Sequence, residues 1–144
     1  MHKAEEILST IHQKCEAVKD DGIVKDALRN SAEPPLQFPA LVVRMGQDSV
    51  IGRDQAFTTN DLQVGIDVQV RSTPESLDTI TLNVREALHK AIMTDPTLGL
   101  GYVLEITSQG QDEPEYNSES DDYIMITRIN WMVRYRTPIA NPSV

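Results

Sequence analysis

The stretch Thr73–Gly101, TPESLDTITLNVREALHKAIMTDPTLGLG, decides the fold, because it is a strongly signalled helix set between groups of strand-like segments. Thr73 is placed to cap its N-terminus, Pro74 occupies the first helical position, and Glu75 in the first turn suits the positive end of the helix dipole. Asp95-Pro96 ends it. Leu77, Ile80, Val84, Leu88, Ala91 and Ile92 recur at three- and four-residue spacing and share one face. Asp78, Arg85, Glu86, His89 and Lys90 occupy the remainder. The spacing predicts a helix that covers a sheet and turns its back to water.

Working outward, Lys3 to about Lys19 forms a second amphipathic helix, with Ile7, Leu8, Ile11, Cys15 and Val18 in register and Glu5 and Glu6 in its first turn. Gly22 stops it. Ile23–Arg29 fits either a short helix or a strand, and Pro34-Pro35 and Pro39 make the following connection extended. Ala40–Met45 reads as a strand, and Gly46–Asn60 as a long loop or a loose hairpin.

Asp61–Arg71 alternates without a break, Leu62, Val64, Ile66, Val68 and Val70 against a wet face of Gln63, Gly65, Asp67, Gln69 and Arg71. After the organising helix, Tyr102–Ser108 alternates Tyr102, Leu104 and Ile106 against Val103, Glu105 and Thr107. Gln109–Asp121 reads as a polar loop, and Asp122–Thr137 as a long strand. The first half of that strand is apolar on both faces, which implies double burial or a bulge. The expected class is α+β, a mostly antiparallel sheet of about five strands with two amphipathic helices packed on it, in the order αβββαββ. Residues 1–137 form one domain and 138–144 a C-terminal tail.

A formal charge of −9 and a pI near 4.7 oppose general affinity for nucleic-acid backbones, which depends on clustered Lys and Arg. Cys15 is the single cysteine and cannot form an internal disulfide. No leader pattern opens the sequence and no apolar run reaches the roughly 20 residues of a membrane span, so a soluble protein made in a cytoplasm-like compartment is expected.

Candidate chemistry is sparse. His12, Cys15 and Glu16 stand at i, i+3 and i+4, an incomplete metal set in which Cys15 also continues the apolar stripe of its helix. Asp112, Glu113, Glu115, Glu119, Asp121 and Asp122 crowd six carboxylates into eleven residues, without the alternation and glycine of a calcium loop. Gly99-Leu100-Gly101 follows a helix instead of preceding one, so it is no phosphate loop. No nucleophile, base and orienting group stand in a recognisable pattern. The reading is therefore no enzyme, no metal and no cofactor. Tyr123, Trp131 and Tyr135 stripe one face of the last strand as core, and Arg128, Arg134 and Arg136 form a ladder on the other. That ladder suits carboxylates of the same sheet or of a neighbouring subunit, or else a solvated edge.

Several of these segments together resemble a family. The amphipathic first helix, RNSAEPPLQFPALVVRMG at Arg29–Gly46, LQVGIDVQVRS at Leu62–Ser72, VREAL at Val84–Leu88, DPTLG at Asp95–Gly99 and VRYRT at Val133–Thr137 resemble the tail terminator (tail completion, gpU-like) proteins of long-tailed bacteriophages. The resemblance spans about Ile7 to Thr137, contains no catalytic motif, and implies that Ile23–Arg29 is a strand.

It also implies a virion subunit at the head-proximal end of the tail, assembled in the host cytoplasm. Six copies would form a homo-hexameric ring that caps the tail tube, ends its polymerisation and offers a joining surface to the head. The implied partners are other copies of the chain, the tail tube protein and a head-completion or neck protein. DNA would pass through without specific binding, and no membrane is involved. Candidate contact residues, for neighbouring subunits or the tube, are Asp48, Arg53, Asp54 and Phe57 in the Gly46–Asn60 segment, Arg85, Glu86 and His89 on the back of the helix, and Arg128, Arg134 and Arg136. The acidic segment Asp112–Asp122 is a candidate channel lining or rim, or else part of the subunit contact. The competing readings are another head–tail connector protein, a small ligand-binding regulatory domain, and a carboxylate-dependent hydrolase or lyase.

Overall fold

The computed structural model describes residues 1–30, 35–119 and 122–143, and of Ser118, Glu119 and Asp122 only the backbone. In chain order the elements are α1 (Lys3–Asp20), β1 (Asp26–Arg29), β2 (Ala40–Arg53), β3 (Phe57–Ser72), α2 (Pro74–Met93), β4 (Val103–Gln111), β5 (Glu115–Glu119) and β6 (Asp122–Pro138). This is an α+β fold with one mostly antiparallel sheet.

β3 is its axis. It pairs with β2 on one side, across two register shifts, and with β6 on the other, where the pairing runs from Phe57 opposite Pro138 to Ser72 opposite Tyr123 without a shift. The sheet order is β1-β2-β3-β6-β4, with β5 also on β6, and β1 is parallel to β2. The unbroken period-2 pattern of both long strands causes this regularity, since a one-residue slip would turn every apolar side chain to the wrong face. Leu62, Val64, Ile66, Val68 and Val70 join Met125, Ile129, Trp131, Val133 and Tyr135 beneath both helices. α1 adds Ile7, Leu8, Ile11, Cys15 and Val18, and α2 adds Leu77, Val84, Leu88 and Ile92.

The helix ends differ from expectation in one detail. Thr73 is the N-cap of α2 but gives no side-chain cap bond; its carbonyl accepts from the Ser76 amide at 3.0 Å. At α1 the cap is made by His2, whose Nδ1 accepts from the Ala4 amide at 3.0 Å. Gly22 takes a φ of +80°, the left-handed conformation that ends α1.

Several expectations are corrected or sharpened. Among the described residues the sheet has six strands, one more than the order αβββαββ, and the α+β class with a mostly antiparallel sheet holds. Of the two readings of Gly46–Asn60, a long loop or a loose hairpin, the hairpin holds: the segment belongs to the two arms of the β2–β3 hairpin around a turn at Asp54–Ala56. Within the segment Gln109–Asp121, whose residues 120 and 121 lie outside the described ones, Gln109–Gln111 and Glu115–Glu119 are strand instead of free loop. β4 and β5 run in the same direction along one edge of β6, and the Asp112 amide bridges them by donating to the Arg128 carbonyl at 2.9 Å. An edge strand held by backbone bonds to one neighbour needs no apolar face, so its polar sequence concealed it.

A register shift between Val103 and Glu105 also changes the facing of β4. Val103 and Ile106 are buried and Leu104 is 47% exposed. The wet face assigned to β3 is dry in its second half, where Gly65, Asp67 and Gln69 are buried. The first half of β6 needs no bulge against β3; Ile124 and Ile126 are half-buried on the second face. β1 is shorter than Ile23–Arg29, beginning at Asp26.

Candidate functional site

The sheet surface opposite the helices carries a ladder of ion pairs set by strand register. Arg128 lies across from Asp67, and Arg134 across from Asp61. Arg128 Nε donates to Asp67 Oδ1 at 2.8 Å, and Arg134 Nε donates to Asp61 Oδ1 at 2.8 Å. From the other side, Arg44 Nε donates to Asp67 Oδ2 at 2.6 Å. Asp67 is thus buried between two guanidinium groups, with only 4% of it exposed. Gly65 makes this possible, because a Cβ there would sit 2.9 Å from Arg128 Cδ. The hydrogen bond that Arg128 donates to Asp67 raises the Arg128 pKa, and the charges of Asp67, Asp112 and Glu115 add to it.

Beside this trio lies a cleft of about 340 Å³, lined by Gln69, Ile126 and the acidic Asp112, Glu113 and Glu115 as well as the three charged residues. Asp112 Oδ1 accepts from Asn130 Nδ2 at 2.8 Å, which fixes the start of the acidic segment against β6. Asp121 lies outside the described residues, as do the side chains of Glu119 and Asp122.

The other candidate residues fall into two groups. At the hairpin end, Asp54 accepts from the amides of Ala56 at 2.8 Å and Phe57 at 2.6 Å. Those two bonds, the Phe57 one foremost, hold its carboxyl below the usual carboxylate range, with Arg136 contributing. Arg136 Nη2 lies 3.2 Å from Asp54 Oδ2, and its guanidinium stacks 4.7 Å from the centre of the Phe57 ring. Asp48 accepts from the Tyr135 hydroxyl at 2.5 Å and from Asn60 at 3.0 Å. Arg53 is exposed.

On the back of α2, Arg85 donates to Gln111 Oε1 at 2.7 Å, Glu86 pairs with Lys90 at 3.1 Å, and the His89 ring lies 5.5 Å from Trp131. Sequence reasoning placed the arginine ladder but missed Asp61, Asp67 and Arg44 as its partners. The signal was present, since Asp61 and Asp67 share the polar face of an alternating strand.

His12, Cys15 and Glu16 do not converge. His12 Nδ1 is 3.2 Å from Glu16 Oε1 and its Nε2 is 3.0 Å from the Ala27 carbonyl. Cys15 is buried in the core, and burial pushes its thiol up to about 12. Among the described residues no group of three or more His, Cys, Asp or Glu side chains is placed to hold a metal ion.

No protein-family model matches the chain, and no curated protein matches it. Among solved structures it is similar to a chain in the virion of a native gene transfer agent (GTA) particle. The TM-score is 0.61 at 14% identity, over 90% of this chain and 94% of that one. The likeness shows a shared fold, end to end: this architecture is one that a virion particle uses.

Proposed function

We propose that the protein is a structural component of a virion, a tail terminator. In this reading it closes into a hexameric ring on the head-proximal end of the tail tube, stops tube growth and presents the surface that the head joins. It assembles in the host cytoplasm, and its partners are further copies of itself, the tube protein and a neck protein. The observation that carries this is the end-to-end fold likeness to a virion chain; the sequence resemblance to tail terminators narrows it. A second feature fits assembly. The β2–β3 hairpin exposes Met45, Val50, Ile51 and Phe57 at 64%, 60%, 48% and 40%, apolar surface that a solitary subunit gains nothing by showing to water.

The chemistry of the surface agrees with a non-enzymatic role. Among the described residues the carboxylate with the lowest exposure, Asp67, is held by two arginines and serves as the anchor of an ion-pair cluster. Native mass spectrometry tests the proposal, on the protein alone and mixed with tail tubes. Six copies, or a monomer that becomes a ring on tubes, supports it; a dimer that retains a small ligand supports the regulatory-domain reading and removes this one.

A further inference from the structure

At the hairpin end of the molecule a recess of about 300 Å³ opens between Lys3, Phe57, Tyr102, Leu104 and Arg136. Its two cations are already oriented, Lys3 with its Nζ 4.1 Å from the centre of the Tyr102 ring and Arg136 over Phe57. Around them Phe57, Leu104 and Ile139 are 40%, 47% and 44% exposed. The lining is cationic and apolar, with Asp54 3.2 Å from Arg136 at its margin, on a chain whose net charge is −9. At the opposite end of β6, the edge segment Asp112–Tyr116 offers the complement. Glu113 and Glu115 are exposed acids, and beside them Tyr116 is 62% exposed.

Glu115 is paired with Ile126 and the recess is built on Arg136, ten positions further along β6. At 3.2–3.4 Å per residue the two surfaces are roughly 30 Å apart, so one subunit cannot bring its own together. We infer that the acidic edge segment Asp112–Tyr116 of one copy docks into the Lys3–Arg136 recess of a second copy, making a head-to-tail contact. Such a contact uses two different patches per subunit and closes into a ring when the rotation permits. The exposed Tyr116 favours this role over lining a channel for DNA, since an apolar ring adds nothing to charge repulsion, whereas aromatic residues are enriched at interface centres. The inference rests on the ring-forming reading and specifies its interface.

The test is a charge exchange read by sedimentation velocity in low salt. One protein carries Lys3→Glu and Arg136→Glu, and a second carries Glu113→Lys and Glu115→Lys. Each alone should associate at least tenfold more weakly than the parent, and an equimolar mixture should recover association, because each then offers the other a complementary surface. A third protein, Lys3→Glu with Arg136→Gln, guards against misfolding from a new acid beside Asp54, and thermal melting followed by circular dichroism checks all three. Undiminished association of the variants, or no recovery on mixing, overturns the inference and leaves the ring standing. A parent protein that does not associate, alone or on tail tubes, overturns both.

Discussion

The two halves of β3 obey the same alternation and meet opposite fates. From Val64 to Val70 every residue is buried, with helices over one face and the Arg44–Asp67–Arg128 cluster over the other. From Phe57 to Gln63 all but Leu62 are half-buried or exposed, and the adjoining arm of β2 shows Val50 and Ile51 to solvent. β1 accounts for part of the difference, since it pairs with β2 only from Ala40 to Val43 and leaves the rest of that strand as an edge. One half of the sheet therefore holds the fold together, and the other extends beyond it as surface available to partners.

That division can be broken at its strongest point. Ile66→Ala, in the doubly covered half, removes a fully buried side chain from the core and should cost about 3 kcal/mol in urea unfolding. Asp67→Ala should cost about 2 kcal/mol in the same measurement. It leaves two guanidinium groups without their carboxylate, but these are 30% and 45% exposed, so water offsets part of the loss.

In the hairpin half, pH supplies a gentler probe. Asp54 has a folded pKa below its ordinary 3.8, so its contribution is present above that value and fades as pH falls through the lower folded one. Hydrogen exchange at the Phe57 amide should accordingly show full protection at pH 6 and reduced protection only in the most acidic samples, and Asp54→Ala should remove that pH dependence. The smallest effect on stability is expected from Val50→Ser combined with Ile51→Ser, within about 0.5 kcal/mol, because both side chains are already exposed. The same pair should weaken self-association in sedimentation; equal association would return the hairpin to the solvent.

Sequence legibility follows the same division. Where burial is imposed by local periodicity, the reading succeeded: both helices, the core face of β3 and the Trp131–Tyr135 face of β6 are written in their spacing. Where structure is imposed by a neighbouring strand, the reading failed at β5 and left loop and hairpin both open at the β2–β3 arms. Glu115–Glu119 has no apolar alternation and is a strand because β6 supplies its hydrogen bonds. The hairpin arms carry glycines and polar residues at Gly46, Gly52 and Asn60, and are ordered by cross-strand pairing across two register shifts. The candidate surface shared this limit. Arg128, Arg134 and Arg136 were visible as a ladder, while the identity of Asp67 as a buried anchor depends on Gly65 opposite Asn130, a relation between strands far apart in the chain.

Negative-stain electron microscopy of the purified protein, with and without tail tubes, is the decisive test of the proposed assembly of the exposed half of the sheet into a tail-capping ring. Six-fold rings are expected, free in solution or seated at one end of each tube. Particles that remain single subunits or dimers, with tube ends left bare, would contradict that assembly.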